Sequence, residues 1–531
     1  MRTILLIVIS VIAFASPLHA APPERPEATV EGPAPIGHKD LVEEQKRLPR
    51  SDFGGSDARV PNPLSRLMAV GDKPAVRREV LGYLPYWSYT AATPYVPFRW
   101  DLLTILAWFS VNVDGTGAIT DRNGWGGATT AAIVQDAHAH GVLVIVTVTN
   151  FTGSQISSIV NNAANRERAI ASCLELMDAH GADGINIDFE FVPKAARDGF
   201  VTFMTELTDA VRAVQPNGGP GHVSLAGPAI DWSGAYDYDM LLENTDGIMV
   251  MAYGYHWTRS TTPGPSSPLY SGDVWSSRSV SWTVDDYLTY GGSENRGNIF
   301  IGLPWYGRSW KVANTDIPGD ALSDGATRTF KAAEPEALTF GKGWEDVSKS
   351  TYYHKSAGGV LSQVWYDDGR SFKEKVAYID EMDLGGVGIW ALGYEGSNPD
   401  LWNAIADVLV DEVGPVEPQP ETSEPTPEVV ETVEVVESVE AVEPIAESGP
   451  EAVEPGPEPT PETSPEVVIP DEDPIKEPDI ERPGTPYATP LHPQRSLQSR
   501  MVSGDGGCVG GSSSLLALAA LGLLITRRRL A

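Results

Sequence analysis

Cysteine is nearly absent. Two in 531 residues are too few for a disulfide framework, so an exported domain built from this chain must stand without covalent staples. Cys173 falls in an expected helix, Asn165 to His180, where a thiol reads as a small buried hydrophobe. Cys508 lies in the C-terminal tail, far from any core. Positive charge is scarce as well. The 38 Lys and Arg stand against 72 Asp and Glu, giving a formal net charge of −34, and that balance argues against nucleic acid as a partner. No ligand spacing for a metal and no phosphate loop is evident. His256 and His354 are isolated, and isolated histidines are seldom ligands. Neither a metal nor any other cofactor is expected.

The acid that is present is concentrated. Asp411 to Arg482 holds 23 acidic residues against Lys476 and Arg482 alone. A Pro/Glu/Val stretch of this kind cannot bury enough apolar surface to order itself. It reads as an extended, self-repelling spacer, part of a linker over 411–505. At the other end, Met1 and Arg2 precede an apolar run, Ile4 to Phe14, and Leu18-His19-Ala20 offers a cleavage site. Residues 1–20 are therefore expected to be a secretory signal peptide, and 21–78 a flexible lead-in with one possible short helix around Leu41 to Leu48. The C-terminus, 506–531, joins Gly506-Gly507-Cys508 to an apolar run, Leu515 to Ile525, and then Arg527-Arg528-Arg529. That run only marginally spans a bilayer, with the arginines on the cytoplasmic side. The arrangement resembles the C-terminal sorting signals of myxobacteria, with a plain tail anchor as the alternative. A secreted monomer anchored at the cell surface or outer membrane is the expectation.

Between these ends, from Glu79 to Val410, short apolar runs alternate with amphipathic segments, the βα rhythm of a parallel-sheet protein. One stretch is chemically loaded: Asp183-Gly184-Ile185-Asn186-Ile187-Asp188-Phe189-Glu190. As a strand it puts Ile185, Ile187 and Phe189 on one side and Asn186, Asp188 and Glu190 on the other. The apolar side can pack against helices, so the polar side must look into a barrel interior or a cleft. Burying those groups costs several kcal/mol unless they bond one another or a ligand.

This stretch resembles the DGxDxDxE signature of glycoside hydrolase family 18, the chitinase family. Asp183, Gly184, Asp188 and Glu190 match, and Asn186 stands where the family usually has Asp, as in the subgroup acting on bacterial cell-wall or spore-cortex glycan. Met251 and Tyr253 are similar to the family's MxYD segment, with Gly254 replacing the Asp. Gly302-Leu303-Pro304-Trp305-Tyr306-Gly307-Arg308-Ser309-Trp310 is close to GLPxYGRxW, and Gly385 to Trp390 matches GGxxxW. The resemblance implies an α/β fold, a (β/α)8 TIM barrel, flanked by disordered segments. Strands are expected at Val80 to Trp87, Leu102 to Val111, Val142 to Thr149, the loaded stretch, His222 to Pro228, Gly247 to Tyr253, Asn298 to Tyr306 and Gly385 to Trp390. Helices are expected at Ala128 to His140, Ser154 to His180 and Pro193 to Val214. Two insertions are expected: Thr258 to Arg296, and a small α+β unit at about 311–362 between strands seven and eight.

By the same resemblance, Glu190 is the general acid and later the base. Asp188 would hold the N–H of a substrate 2-acetamido group, whose oxygen attacks in a substrate-assisted, retaining hydrolysis. Tyr253 would bind the acetamido oxygen, and Trp390 would floor the reacting sugar. Tyr83, Met251, Asn186, Asp183, Trp305 and Tyr306 are further candidates for the substrate site. Asn186 is expected to donate its amide N–H to Asp188 and keep it ionised. Trp87, Trp232, Trp257, Trp305 and Trp310 are candidates to stack on sugar faces, some of them core instead. The implied function is cleavage of β-1,4 linkages in an N-acetylglucosamine polymer, chitin or peptidoglycan; the alternative is a non-catalytic lectin on the same barrel.

Overall fold

The computed structural model describes residues 38–53, 76–88, 98–275 and 277–411. The expected signal peptide, the rest of the lead-in, most of the acidic linker and the tail with Cys508 lie outside the described residues.

Eight parallel strands close on themselves: β1 (Glu79–Pro85), β2 (Ile105–Val113), β4 (Leu143–Asn150), β5 (Gly184–Phe189), β6 (His222–Pro228), β7 (Gly247–Met251), β8 (Ile299–Pro304) and β14 (Gly386–Trp390). Their order around the sheet is β1-β14-β8-β7-β6-β5-β4-β2, and β1 pairs with β2 to seal the ring. A short β3 (Ile119–Asp121) extends β2 antiparallel at one end. The strands are short runs buried on both faces, as strands roofed by helices must be. The outer layer consists of α2 (Ala128–Ala139), α3 (Gly153–Val160), α4 (Ala163–Asp178), α5 (Arg197–Val214), α6 (Tyr238–Asn244), α7 (Val280–Gly291), α9 (Gly369–Glu381) and α10 (Asp400–Leu409). The barrel is closed below by an isolated bridge between Val76 and Val410 and by Arg77 and Arg78, which pair with Asp380, Asp383 and Asp411.

Three local expectations are corrected. The span Ser154 to His180 is two helices, not one. The chain breaks at Asn161–Asn162, and the Asn162 side chain accepts from Asn165 N at 3.2 Å, capping α4. The insertion between the last two barrel strands begins earlier than Lys311: β9 (Tyr306–Lys311) leaves the barrel two residues after β8. It joins β10 (Ala326–Thr329), β11 (Gly343–Glu345), β12 (Ser350–Ala357) and β13 (Val360–Tyr366) in a five-stranded antiparallel sheet beside α8 (Phe330–Phe340). The GLPxYGRxW-like segment thus straddles two sheets. Finally, the lead-in is not flexible throughout: the short helix expected around Leu41 to Leu48 is present, a few residues earlier, and is packed down. An eight-residue helix, α1 (His38–Gln45), with the residues to Phe53, lies against the barrel.

Cys173 is buried in α4, and burial pushes its thiol up to about 12. Among the described residues no helix is long and apolar enough to cross a membrane.

Candidate active site

The site is assembled by strand parity at the C-terminal ends of the barrel strands, where (β/α)8 enzymes keep their chemistry. On β5, Ile185, Ile187 and Phe189 point outward; Phe189 stacks on Phe203 of α5, centroids 5.6 Å apart and rings nearly parallel. Asn186 and Asp188 therefore point inward, and Glu190 follows at the strand's end. The motif glycine has a steric cause: a Cβ on Gly184 would sit 1.9 Å from the carbonyl oxygen of His222 in the paired β6.

Asp188 and Glu190 share a small space with Tyr83 of β1, Phe109 of β2, Ala226 of β6, Met249, Met251 and Tyr253 of and after β7, and Trp390 of β14. All are buried. Burial first, and the neighbouring Glu190 second, hold the Asp188 carboxyl well above the usual carboxylate range. Among the described residues Asp188 Oδ1 has no hydrogen-bond partner. Tyr83 and Tyr253 are raised as well, chiefly by burial, with Asp188 adding to both. The cluster contains hydroxyls that stay protonated and a carboxyl inclined to do so, facing a ring of aromatics. It is suited to donating hydrogen bonds and protons to a polar ligand with apolar faces. Among the described residues, no group of three or more His, Cys, Asp and Glu is placed to hold a metal ion.

Asn186 does not donate to Asp188. Its Nδ2 donates to Ser224 Oγ at 2.9 Å, and its Oδ1 accepts from Tyr83 OH at 3.1 Å. The expected support for an ionised Asp188 is spent on the neighbouring strands, which agrees with the raised carboxyl. Asp183 is also misplaced by the motif reading. It has the parity of Ile185, not of Asp188, and it sits at the opposite end of the strand. There Oδ2 accepts from Val144 N at 2.7 Å and lies 2.8 Å from His138 Nε2, while Oδ1 accepts from Asn217 Nδ2 at 2.7 Å. It ties β4, α2 and the loop before β6 together and is remote from the cleft.

Trp305 likewise has outward parity. It packs edge-on against Trp402 of α10 and Phe372 of α9 and is fully buried. Tyr306 stands behind Tyr253, rings at 6.1 Å and near-perpendicular, so it supports the site without lining it. Trp310 belongs to a separate small core with Trp275 and Trp365. Trp87 is buried against Phe109 and Trp390. Only Trp232 and Trp257 of the candidate stacking set keep partial exposure. Gly254, in the place of the family's Asp, has φ +82° with open space beyond its Cα, a backbone that side chains rarely adopt.

Phe109, Ala226 and Met249 were not singled out from the sequence, although strand parity would have found them. Tyr236, whose OH donates to Phe189 O at 2.6 Å, braces the end of β5 from beyond β6. No period-2 signal marks it.

The profile of the glycosyl hydrolases family 18 matches residues 79–395. The chain belongs to that family. It is 26% identical over 287 residues to the "Putative sporulation-specific glycosylase" of Bacillus subtilis (strain 168), covering 51% of this chain and 62% of that protein. It is 27% identical over 263 residues to mouse chitotriosidase-1, covering 46% and 56%. The chain thus spans less than two thirds of these curated relatives' length. Among solved structures, a family 18 chitinase from Cycas revoluta in complex with (GlcNAc)3 superposes with a TM-score of 0.56 at 21% identity, over 62% of this chain and 99% of that one. The spore cortex-lytic enzyme of Bacillus megaterium gives 0.50 at 19% identity, over 63% and 75%. These likenesses carry the fold.

Proposed function

We propose that the barrel hydrolyses β-1,4 linkages in an N-acetylglucosamine-containing polysaccharide, chitin or peptidoglycan glycan, with retention and with the substrate's own acetamido group as nucleophile. The observation that carries this reading is the Asp188–Glu190 pair. Two inward carboxyls, two residues apart at the mouth of the barrel, share one buried pocket with Tyr253 and Trp390. Glu190 protonates the glycosidic oxygen. Asp188 takes the acetamido N–H and balances the charge of the oxazolinium-like intermediate. Tyr253 OH donates to the acetamido oxygen, and Trp390 floors the reacting ring. Retaining glycosidases in general need a second carboxylate as nucleophile; family 18 replaces it by the substrate's amide. A raised Asp188 fits this division: it releases its proton to solvent as the substrate's N–H comes to bond it, and the resulting anion balances the developing cation.

The test is to incubate the chain with chitin oligosaccharide and with peptidoglycan, size the products and follow their anomeric form. Retained β-configured products from an acetylated substrate, with poor cleavage where the reacting sugar bears a free 2-amine, are expected. Equal cleavage of the de-acetylated substrate would remove the role given to Asp188. Binding without turnover would leave a lectin.

A further inference from the structure

The pocket around Asp188 and Glu190 is filled from within the chain. Its tenth lining residue is Val42 of α1, and the space left over is about 10 Å³, room for no more than a single water. A sugar ring cannot enter while Val42 is there. The residues flanking Val42 seat it. Leu41 and Val42 are buried, and Gln45 is fully so; its Oε1 accepts from Trp390 Nε1 and from Tyr394 OH, both at 2.9 Å. Glu44 Oε1 accepts from Thr327 N at 2.6 Å, and its Oε2 pairs with the buried Arg308 at 3.2 Å. Lys46 Nζ lies 5.5 Å and 5.6 Å from the ring centroids of Tyr86 and Trp87. Arg50 donates to Trp87 O at 3.0 Å, and Phe53 packs on Tyr394 with centroids 5.3 Å apart. These partners sit at or beyond the C-terminal ends of β1 and β14 and in the β9–β10 unit, so the segment lies across the mouth of the barrel.

A helix of eight residues does not hold by itself in water. Its order comes from the cleft it covers, and its contacts are of the kind a glycan would make: an amide oxygen on the indole N–H of the pocket's tryptophan, and an aliphatic side chain lining the pocket that holds the two carboxyls. We infer that residues 38–53 are an intramolecular plug that holds the glycan site closed until they are displaced or removed. This rests on reading the cleft as the glycan site. Because the plug is tethered, it competes at an effective concentration of order millimolar, and a plug seated in about nine molecules of ten weakens apparent substrate affinity about tenfold.

The full chain tests this without touching the barrel. Val42→Asp/Gln45→Ala sets a third carboxylate against Asp188 and Glu190 and removes the acceptor for Trp390 and Tyr394. Against the unaltered chain, (GlcNAc)4 binding is read by calorimetry and turnover by product release, with circular dichroism confirming the barrel. Tighter binding and a kcat/KM higher by about tenfold or more are expected. A synthetic 38–53 peptide, added to the double variant, should inhibit it competitively, whereas the same peptide carrying both substitutions should not. If the variant gains (GlcNAc)4 binding while neither form hydrolyses anything, the plug stands and the hydrolase reading falls. If both forms turn over and bind alike, the plug is overturned and the hydrolase reading stands. Absence of binding by both forms also overturns it, because opening the cleft would then have exposed nothing.

Discussion

The two ends of β5 carry the same residue type in opposite circumstances. At the N-terminal end, Asp183 meets a backbone amide, a side-chain amide and an imidazole nitrogen, all within 2.8 Å. At the other end, Asp188 has one oxygen with no partner among the described residues, an acidic neighbour, and burial on every side. The first carboxylate has been given everything that a buried charge needs, so it holds the fold. The second has been denied it, so its needs are left for a ligand to meet. A buried polar group left wanting is costly, and a carboxyl shifted by burial and an acidic neighbour inside a cleft is a candidate for chemistry.

Substitutions along the strand sharpen this contrast, and the largest effect belongs to Glu190. Glu190→Gln keeps shape and removes the proton, so kcat should fall by about 10²- to 10⁴-fold while oligosaccharide binding survives. Hydrolysis at the parent rate would take the acid role away from Glu190.

Asp188→Asn should separate activity from stability. Turnover is lost with the charge, yet the folded protein gains. Because the folded-state pKa of Asp188 is raised, the native protein holds a proton that the unfolded chain has released. Stability therefore falls as pH rises from the ordinary carboxyl value through the folded one. Asn removes that penalty, so the variant should be more stable at pH 7, read as a Tm higher by about 1–2 °C, and should show no advantage below the ordinary carboxyl pKa. A lower Tm at pH 7 would mean that Asp188 is a structural acid like Asp183.

Asp183→Ala should do the reverse. It strands the amide of Val144 and the side chain of Asn217, at a cost of about 1–3 kcal/mol, read as a lower urea midpoint at constant slope. The kcat per folded molecule should stay at the parent value, and a large fall in kcat would put Asp183 back in the catalytic site.

Strand periodicity explains why most of the barrel was legible in the sequence. Buried strands follow from short apolar runs and inward positions from a period of two, while the barrel and the order of its strands are implied by the family resemblance. The same period separates Asp183 and Trp305 from the cleft, since both have outward parity; reading the motifs as blocks hid it. Three features had no local signal. The break at Asn161–Asn162 depends on a cap competing with helix continuation. The partners of Asn186 lie 103 and 38 residues away. The seating of α1 depends on contacts as much as 349 residues distant, such as Gln45 with Tyr394. A short, charged, proline-flanked segment gives no hint that it will be ordered by a surface elsewhere.

The smallest expected effect is at Asn186, midway between the two acids. Its Oδ1 is held by Tyr83 and its Nδ2 by Ser224, so it is a spacer of neutral charge directly below Asp188 on the inward face. Asn186→Asp keeps the acceptor for Tyr83, and the Ser224 hydroxyl can rotate to donate in place of accepting, so the fold should be retained. What changes is charge. A second carboxyl in the same buried interior makes it harder for Asp188 to ionise, and the pair gives up its protons in separated steps. Under the proposed mechanism Asp188 acts as the anion that balances an oxazolinium-like cation, so the acidic limb of the kcat profile should move to higher pH. The plateau rate should stay within about tenfold of the parent, about 1.4 kcal/mol in barrier. An unmoved limb would show that the ionisation controlling the rate is not that of Asp188. A limb moved to lower pH would show the new carboxyl donating to Asp188 instead of repelling it, and would make the neutral amide in this chain a device for weakening, not protecting, its catalytic charge.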